Sequence, residues 1–301
     1  MWKKVAIVVV CGLLLGLGSL AYAAEVGTTA LNFLKLGVGV RAIGMGGAFS
    51  AVADDASSIY WNPAGLVQLE DNQVEFMHTN YLLGINYEYV VLAQKLDEKS
   101  ALGVSFGWLN SGDIKRTTMN EPGGTGDYFT AKDTVATLGT ARKMGENLLL
   151  GVGIKFMAEN LDDQQAQTWG VDLGSIIKLT PELSLSGGIQ NLGGKMRFME
   201  EEDRLPLNYR VGIAYKPSSN GFILALDLNQ PVDNELYVNI GTEFNNGPLA
   251  LRGGYASGPA DIGSGFSFGF GLKLLQFGLD YAWVPYGKLG DVHRVSLNIN
   301  Y

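Results

Sequence analysis

The residues that could do chemistry crowd near the start of the chain. Gly37-Val38-Gly39-Val40-Arg41-Ala42 matches the G-x-G-x-x-A form of a dinucleotide-binding fingerprint. Such a loop works between a buried strand and a helix, with an acid on the next strand to hold the ribose. Gly27 to Leu36 does not read as the strand of a β-α-β unit, so no nucleotide site is expected. Asp54-Asp55 could serve as general acids, but adjacent acids beside a glycine turn more commonly cap backbone N–H groups. Ser57 and Ser58 lack the strand-turn-helix setting of an activated nucleophile. The two histidines, His78 and His293, lie far apart and form no paired metal-ligand spacing. The single cysteine, Cys11, sits inside an apolar run, which leaves no disulfide. No catalytic, cofactor-binding or metal-ligating set is therefore expected.

What must position these residues follows from composition. Lys3 and Lys4, an apolar run over Val5 to Leu20 and Ala21-Tyr22-Ala23 predict a secretory signal over residues 1–23. Its removal would take the formal charge from −8 to −10, and no basic stripe speaks for nucleic acid. Glycine, at 41 of 301 residues, is about twice the usual ~7%, while charged residues make up 17% against a usual ~25%. No second run of about 20 apolar residues offers a helical span. An exported, glycine-rich chain of low charge without apolar helices fits a transmembrane antiparallel β-barrel.

Period-two patterning predicts about fourteen strands, at 73–81, 85–95, 100–109, 133–142, 147–158, 166–179, 183–191, 207–216, 221–229, 235–244, 248–255, 265–274, 277–284 and 293–301. Short connections, such as Asn245-Asn246-Gly247 and Leu275-Gln276, alternate with longer ones at 110–132, 159–165, 192–206, 230–234, 256–264 and 285–292. Barrels alternate short periplasmic turns with longer outer loops in this way. Tyr81, Trp108, Trp169, Tyr255 and Trp283 fall at one set of strand ends, and Phe222, Phe244, Phe277 and Tyr301 at the other, as two interfacial girdles require. The last strand alternates up to the aromatic Tyr301 and resembles the C-terminal signal that barrel-assembly machinery reads.

The apolar face of these strands is expected to meet outer-membrane lipid. The opposite face carries Glu75, Glu88, Lys155, Asp172, Arg210, Asp227, Glu243, Arg252, Lys273, Asp280 and Arg294, close to one ionisable group per strand and of both signs. In a narrow lumen these groups must pair, because an unpaired buried charge is costly. Ahead of the first strand, Ala48, Phe49, Val52, Ala56 and Ile59 fall near helical spacing. That helix should stop before Asn62, which precedes a proline and can cap a new turn starting at Pro63. Gly44, Gly46 and Gly47 permit close packing or positive φ. Residues 24–71 are thus expected to form a compact hatch in or under a barrel of residues 72–301, with Arg41, Asp54 and Asp55 meeting lumen charges. Phe49, Tyr60 and Trp61 are candidates to line a ligand pocket.

The stretch VGVRAIGMGGAFSAVADDASSIYWNPAGL, residues 38–66, resembles the N-terminal motif of PorV/PorQ-type outer-membrane proteins within the wider FadL-like barrel superfamily. The likeness lies in R-A-x-G-M-G-G-A, A-D-D-A-S and N-P-A-G blocks, which include Arg41, Gly44, Gly46, Gly47, Asp54, Asp55, Asn62, Pro63 and Gly65. It implies a fourteen-stranded barrel with an N-terminal hatch. It also implies a non-enzymatic role in transport or type IX protein secretion, with exported protein cargo as partner. For FadL-like members the implied role is instead passive transport of hydrophobic small molecules, such as long-chain fatty acids or aromatic hydrocarbons.

Overall fold

The structure is a computed structural model that describes residues 26–198, 200–217, 221–258 and 265–301. The proposed signal, 1–23, lies outside the described residues. The strands, in chain order, are β1 (Gln73–Asn80), β2 (Asn86–Lys95), β3 (Ser100–Asn110), β4 (Ile114–Lys115), β5 (Tyr128–Phe129), β6 (Ala131–Met144), β7 (Leu148–Leu161), β8 (Gln164–Lys178), β9 (Leu183–Gly193), β10 (Lys195–Phe198), β11 (Glu201–Arg204), β12 (Asn208–Tyr215), β13 (Phe222–Pro231), β14 (Tyr237–Asn246), β15 (Leu249–Ala256), β16 (Phe266–Leu274), β17 (Phe277–Pro285) and β18 (Asp291–Asn300). Fourteen of them form one closed antiparallel barrel, and β4-β5 and β10-β11 are hairpins within two of the longer loops. Closure comes from β1 pairing with β18, from Gln73 opposite Asn300 to Asn80 opposite His293. A closed ladder leaves no edge, which is what lets strands cross a lipid phase.

Alternation sorts the side chains. In β16, Phe266, Phe268 and Phe270 point outward and are exposed, while Ser267 between them is buried. Leu150 and Ile154 of β7, Ile213 and Tyr215 of β12, and Leu249 and Leu251 of β15 are exposed on the same outer surface. Rings on this surface pack against one another, Phe106 with Trp108 along β3, and across neighbouring strands Phe156 with Trp169, Tyr255 with Phe266, and Phe268 stacked on Trp283. No helix among the described residues is long and apolar enough to cross a membrane. The apolar outer surface belongs to the strands, and lipid is the solvent it suits.

One expected loop is absent. Instead of a connection over 159–165, β7 and β8 run on to a two-residue turn at Asp162-Asp163, with Asp162 at φ 58°. The polar stretch Glu159 to Gln165 disguises strand because its residues pair in register, Glu159 with Ala166 and Leu161 with Gln164. The other connections keep the two ends of the barrel distinct, here called the turn end and the loop end.

Residues 26–72 lie inside the barrel rather than beneath it. Thr29 bridges Arg204 at the loop end, and the chain descends to Gln73 at the turn end. The expected helix through Ala48 to Ile59 does not form. The segment holds only short helices at Val40–Gly44 and Ser58–Trp61 and 3-10 segments at Asn32–Lys35 and Pro63–Gln68, with turns between them. Yet Ala48, Phe49, Val52, Ala56 and Ile59 are all fully buried. The apolar spacing reports burial on several sides, because the barrel wall surrounds the segment. Backbone groups that a helix would have satisfied internally are met by side chains of the wall.

Candidate functional site

The contact between the N-terminal segment and the wall is the candidate site. Its centre is Arg41, on the short helix Val40–Gly44. The guanidinium donates Nε and Nη2 to Glu243 of β14, both at 2.8 Å, and Nη1 to Asp54 at 2.7 Å and Asp55 at 3.2 Å. Asp54 also takes Lys216, beyond β12. Glu243 takes Arg252 of β15 at 2.6 Å, Arg252 reaches Asp280 of β17, and Asp280 accepts from Asn298 of β18 at 2.7 Å. One alternating chain of charge therefore runs from Lys216 through the segment and across the wall to Asp280 of β17, where the neutral Asn298 amide of β18 meets it. Glu75 of β1 is buried beside it and accepts the Val40 N–H.

Further anchors hold the rest of the segment. Asp227 of β13 accepts the N–H groups of Phe49 (3.2 Å) and Ser50 (3.0 Å) and the Ser50 hydroxyl (2.8 Å). Asn62 caps the Pro63–Gln68 segment by accepting the Ala64 N–H at 3.2 Å, and its amide donates to the carbonyls of Ser50 and Ser175 at 3.0 and 3.1 Å. Lys155 pairs with Asp172 at 2.7 Å and lies 5.7 Å from the Tyr60 ring centre. Arg210 stacks on Trp61 at 4.8 Å. Arg294 donates to the carbonyls of Leu36 and Gly37 at 2.8 and 3.0 Å. Lys35 and Thr29 both meet Asp233 at the loop end.

Glycines on both sides let backbone touch backbone. A Cβ on Gly254 of the wall would sit 2.0 Å from the Gly46 nitrogen, and one on Gly46 (φ 67°) would sit 2.6 Å from the Tyr255 nitrogen. Gly44 packs against Gly269, Gly47 (φ 74°) beside Asn239 and Trp61, and Gly65 against the Ala53 carbonyl. Gly174 of β8 leaves room for Asn62 and Pro63, where a Cβ would lie 2.1 Å from Asn62 Oδ1.

Three expectations need correction. Glu88 faces outward, where it pairs with His78 at 2.6 Å. The inward positions of β2 are Tyr87, Tyr89, Val91 and Ala93, all buried. The lumen here is filled by protein and selects apolar groups, so polarity misassigned the face. Lys273 does lie on the inner side but at the exposed turn end, outside the chain of ion pairs among the described residues. Phe49 is fully buried, packed edge-on to Trp61, and lines neither cavity. The residues that sequence reading passed over are mostly amides and hydroxyls: Asn191, Asn229, Asn239, Gln190 and Ser186. Asn229 and Asn239 share the inward parity of Asp227 and Glu243, so extending the polar-face reading from charges to amides would have found them.

Among the described residues, a cavity lies toward each end of the segment. A turn-end cavity of about 330 Å³ is lined by charged groups of the chain just described, including Arg41, Asp55, Glu75, Arg252 and Asp280. A loop-end cavity of about 470 Å³ is lined by Tyr60, Trp61, Tyr237, Arg210 and Arg294 among others. Burial pushes the Tyr60 hydroxyl up to about 12, so it stays a neutral donor, and it donates to the Leu34 carbonyl at 2.7 Å.

The electrostatics of Asp54 give a testable pH response. Burial opposes its ionisation, but the Arg41 guanidinium and Lys216 ammonium outweigh it and hold Asp54 at about 2, below the usual 3.8. A depressed carboxylate stabilises the folded state above its unfolded value, and that contribution fades as pH falls through the folded value. Asp55 shifts the other way, raised chiefly by burial. The stability difference between the parent and D54N should hold steady above about pH 5 and shrink between roughly pH 4 and 2. Urea unfolding in detergent across that range would measure it, and parallel curves at all pH values would refute the assignment.

Comparison with solved structures finds barrels of the same fold. The monoaromatic hydrocarbon channel CymD superposes with a TM-score of 0.65 at 15% identity, over 88% of this chain and 98% of that one. The Pseudomonas putida toluene transporter TodX gives 0.64 at 14% identity, over 87% and 96%. A Pseudomonas aeruginosa FadL homologue gives 0.58 at 11% identity, over 92% and 100%. At such identities the likeness is one of fold. Comparison with curated proteins finds no match. The family model for type IX secretion system protein PorV matches residues 21–230, which take in the N-terminal segment and the strands through most of β13, and by that match the chain belongs to the PorV family.

Proposed function

We propose that this protein serves type IX secretion as a sealed outer-membrane barrel that offers its loop end to exported protein cargo, with residues 24–71 acting as a fixed hatch. The observation that carries this reading is the chain Lys216–Asp54–Arg41–Glu243–Arg252–Asp280, partly buried at its Lys216 end and buried at Glu243 and Arg252, which ties the segment to wall strands from β14 to β17. A conduit would need that segment to leave, and breaking the links to Glu243 would leave a poorly solvated charge behind. In this reading residues 1–23 direct export, the short turns face the periplasm, and barrel-assembly machinery reads the last strand ending at Tyr301. The barrel has no catalytic part in the process.

The test is affinity purification of the tagged protein from native outer membranes. Exported proteins should enrich with it, and a preparation free of any exported protein would sink the secretion reading. A second reading, passage of hydrophobic small molecules, draws on the aromatic groups Tyr60, Trp61, Tyr237 and Tyr286 at the loop-end cavity. It requires hydrocarbon uptake to fall when the protein is deleted.

A further inference from the structure

Both histidines of the chain lie on the outer face of the wall, on the two strands whose pairing closes the barrel. His78 of β1 meets Glu88 of β2 at 2.6 Å, and His293 of β18 meets the Tyr281 hydroxyl of β17 at 2.7 Å. Strand register gathers them into one patch. His293 lies opposite Asn80 and Asn80 opposite Asn86, while His78 lies opposite Glu88 in the neighbouring row. Trp283 and Trp108 bound the patch on either side. On β16 the same two rows carry Phe268 and Phe270.

A bilayer does not suit this face. Toward the turn end the next outward row is apolar, with Phe76 opposite Val90. Toward the loop end the surface is apolar again. Leu83, in the turn between β1 and β2, is 96% exposed, and Leu289, in the connection between β17 and β18, is 60% exposed. The two connections meet through Tyr81 and Tyr286, whose rings pack edge-on at 5.8 Å. Polar groups thus lie between two apolar zones. The stretch from Val74 to Leu83 matches the ~9–11 residues of a strand that crosses a membrane. If acyl chains reach Leu83, then His78, Glu88 and Asn80 lie in hydrocarbon, where ionisable groups are costly and carry function. If headgroups meet those three, Leu83 and Leu289 stand in water. A protein surface can match both zones at once.

The chemistry of the patch says which protein. Each pair engages one nitrogen or one oxygen, so the second Glu88 oxygen, Nε2 of both imidazoles and the Asn80 amide make no hydrogen bond among the described residues. These are acceptors and donors together, so the patch complements itself. A two-fold axis along the membrane normal holds two copies at one depth and brings like rows to like rows, as an isologous contact requires. Any other partner would need its own polar patch at this depth with apolar groups above and below. We propose that the outer face of β17, β18, β1 and β2 joins a second copy of this chain within the membrane. His78, Glu88, His293 and Asn80 form its polar centre, and Leu83 and Leu289 pack at its outer edge. Hydrogen bonds of this kind hold membrane segments together where lipid offers no hydrophobic drive. The contact stands apart from the secretion reading, which partner purification tests and oligomeric state does not.

Cross-linking in native outer membranes tests the contact. The single cysteine, Cys11, lies in the predicted signal, so one introduced thiol reports its own neighbours. N80C treated with a short bis-maleimide should give a product with the mass of two copies. I213C, exposed on β12 at the far side of the barrel, should not. In mild detergent the full barrel should sediment as a dimer. The double variant H78L/E88L continues the apolar surface through the patch and should weaken that dimer by about tenfold or more. L83S, in an exposed turn, covers the case in which the double variant does not fold, and it too should weaken the dimer. The proposal is overturned if N80C gives no more two-copy product than I213C, or if its product contains a different protein. It is also overturned if the parent sediments as a monomer, or if the folded variants dimerise like the parent.

Discussion

Replacing Glu243 with alanine is expected to unseat the N-terminal segment and let ions through the barrel. Glu243 is almost wholly buried and accepts from Arg41 twice, from Arg252 and from the Asn245 amide at 2.9 Å. Without it, two guanidinium groups are left facing each other with the carboxylate between them lost. Removing one partner of a buried ion pair costs about 3–5 kcal/mol, and here the removed group serves two cations at once. The loss should appear as a lower urea midpoint for the folded barrel in detergent. It should also appear in a planar bilayer, where the parent stays at baseline and E243A shows channel openings. E243Q keeps the shape and some hydrogen bonds but not the charge, so it should fall between the two. If E243A unfolds within about 0.5 kcal/mol of the parent and remains silent in the bilayer, Glu243 does not hold the seal. Deletion of residues 24–66 sets the upper limit of conductance for the same assay.

Strand positions were legible in the sequence because lipid is a uniform solvent on one side of the wall. Every outward residue of β16 and most of β7 and β12 answers to the same demand, so period two stands out. The inner face answers to no single demand. Along β2 it packs Tyr87 against Phe33, and the polar Glu88 is displaced outward beside His78. Along β13 it offers Asp227 to backbone N–H groups of the segment, where burial and hydrogen bonding act together. The apolar spacing from Ala48 to Ile59 misled for the same reason. A helix on a surface has one buried face, whereas this segment is enclosed, and Asp227 accepts the Phe49 and Ser50 N–H groups that helical geometry would otherwise have had to satisfy. The partners of Arg41 were readable as residue types but not as a chain, since Glu243, Arg252 and Asp280 meet only through strand register, Glu243 opposite Arg252 in the ladder.

The segment and the wall also fit each other sterically, and a single methyl group tests whether the seal is fixed. G254A should cost about 3 kcal/mol, at the upper end of what overpacking a core does. The added Cβ would lie 2.0 Å from the Gly46 nitrogen and 2.2 Å from the Met45 carbonyl carbon, both backbone atoms that no rotamer change can move. Gly46 cannot retreat by changing conformation cheaply, because it already sits at φ 67° with its own close approach to the Tyr255 nitrogen. On the outer side β15 pairs with β14 and β16 and cannot bow outward without breaking ladders on both sides. The strain must therefore fall on the segment, at the helix that carries Arg41, and the ion chain through Glu243 should loosen with it. G194A is the matched control, with nothing within 4 Å of its added Cβ, and should stay within about 0.5 kcal/mol of the parent. If the segment is a fixed part of the fold, G254A should lower stability and raise bilayer conductance together. If it is a movable plug that already spends time away from the wall, G254A should raise conductance with little loss of barrel stability, and that result would overturn the fixed hatch.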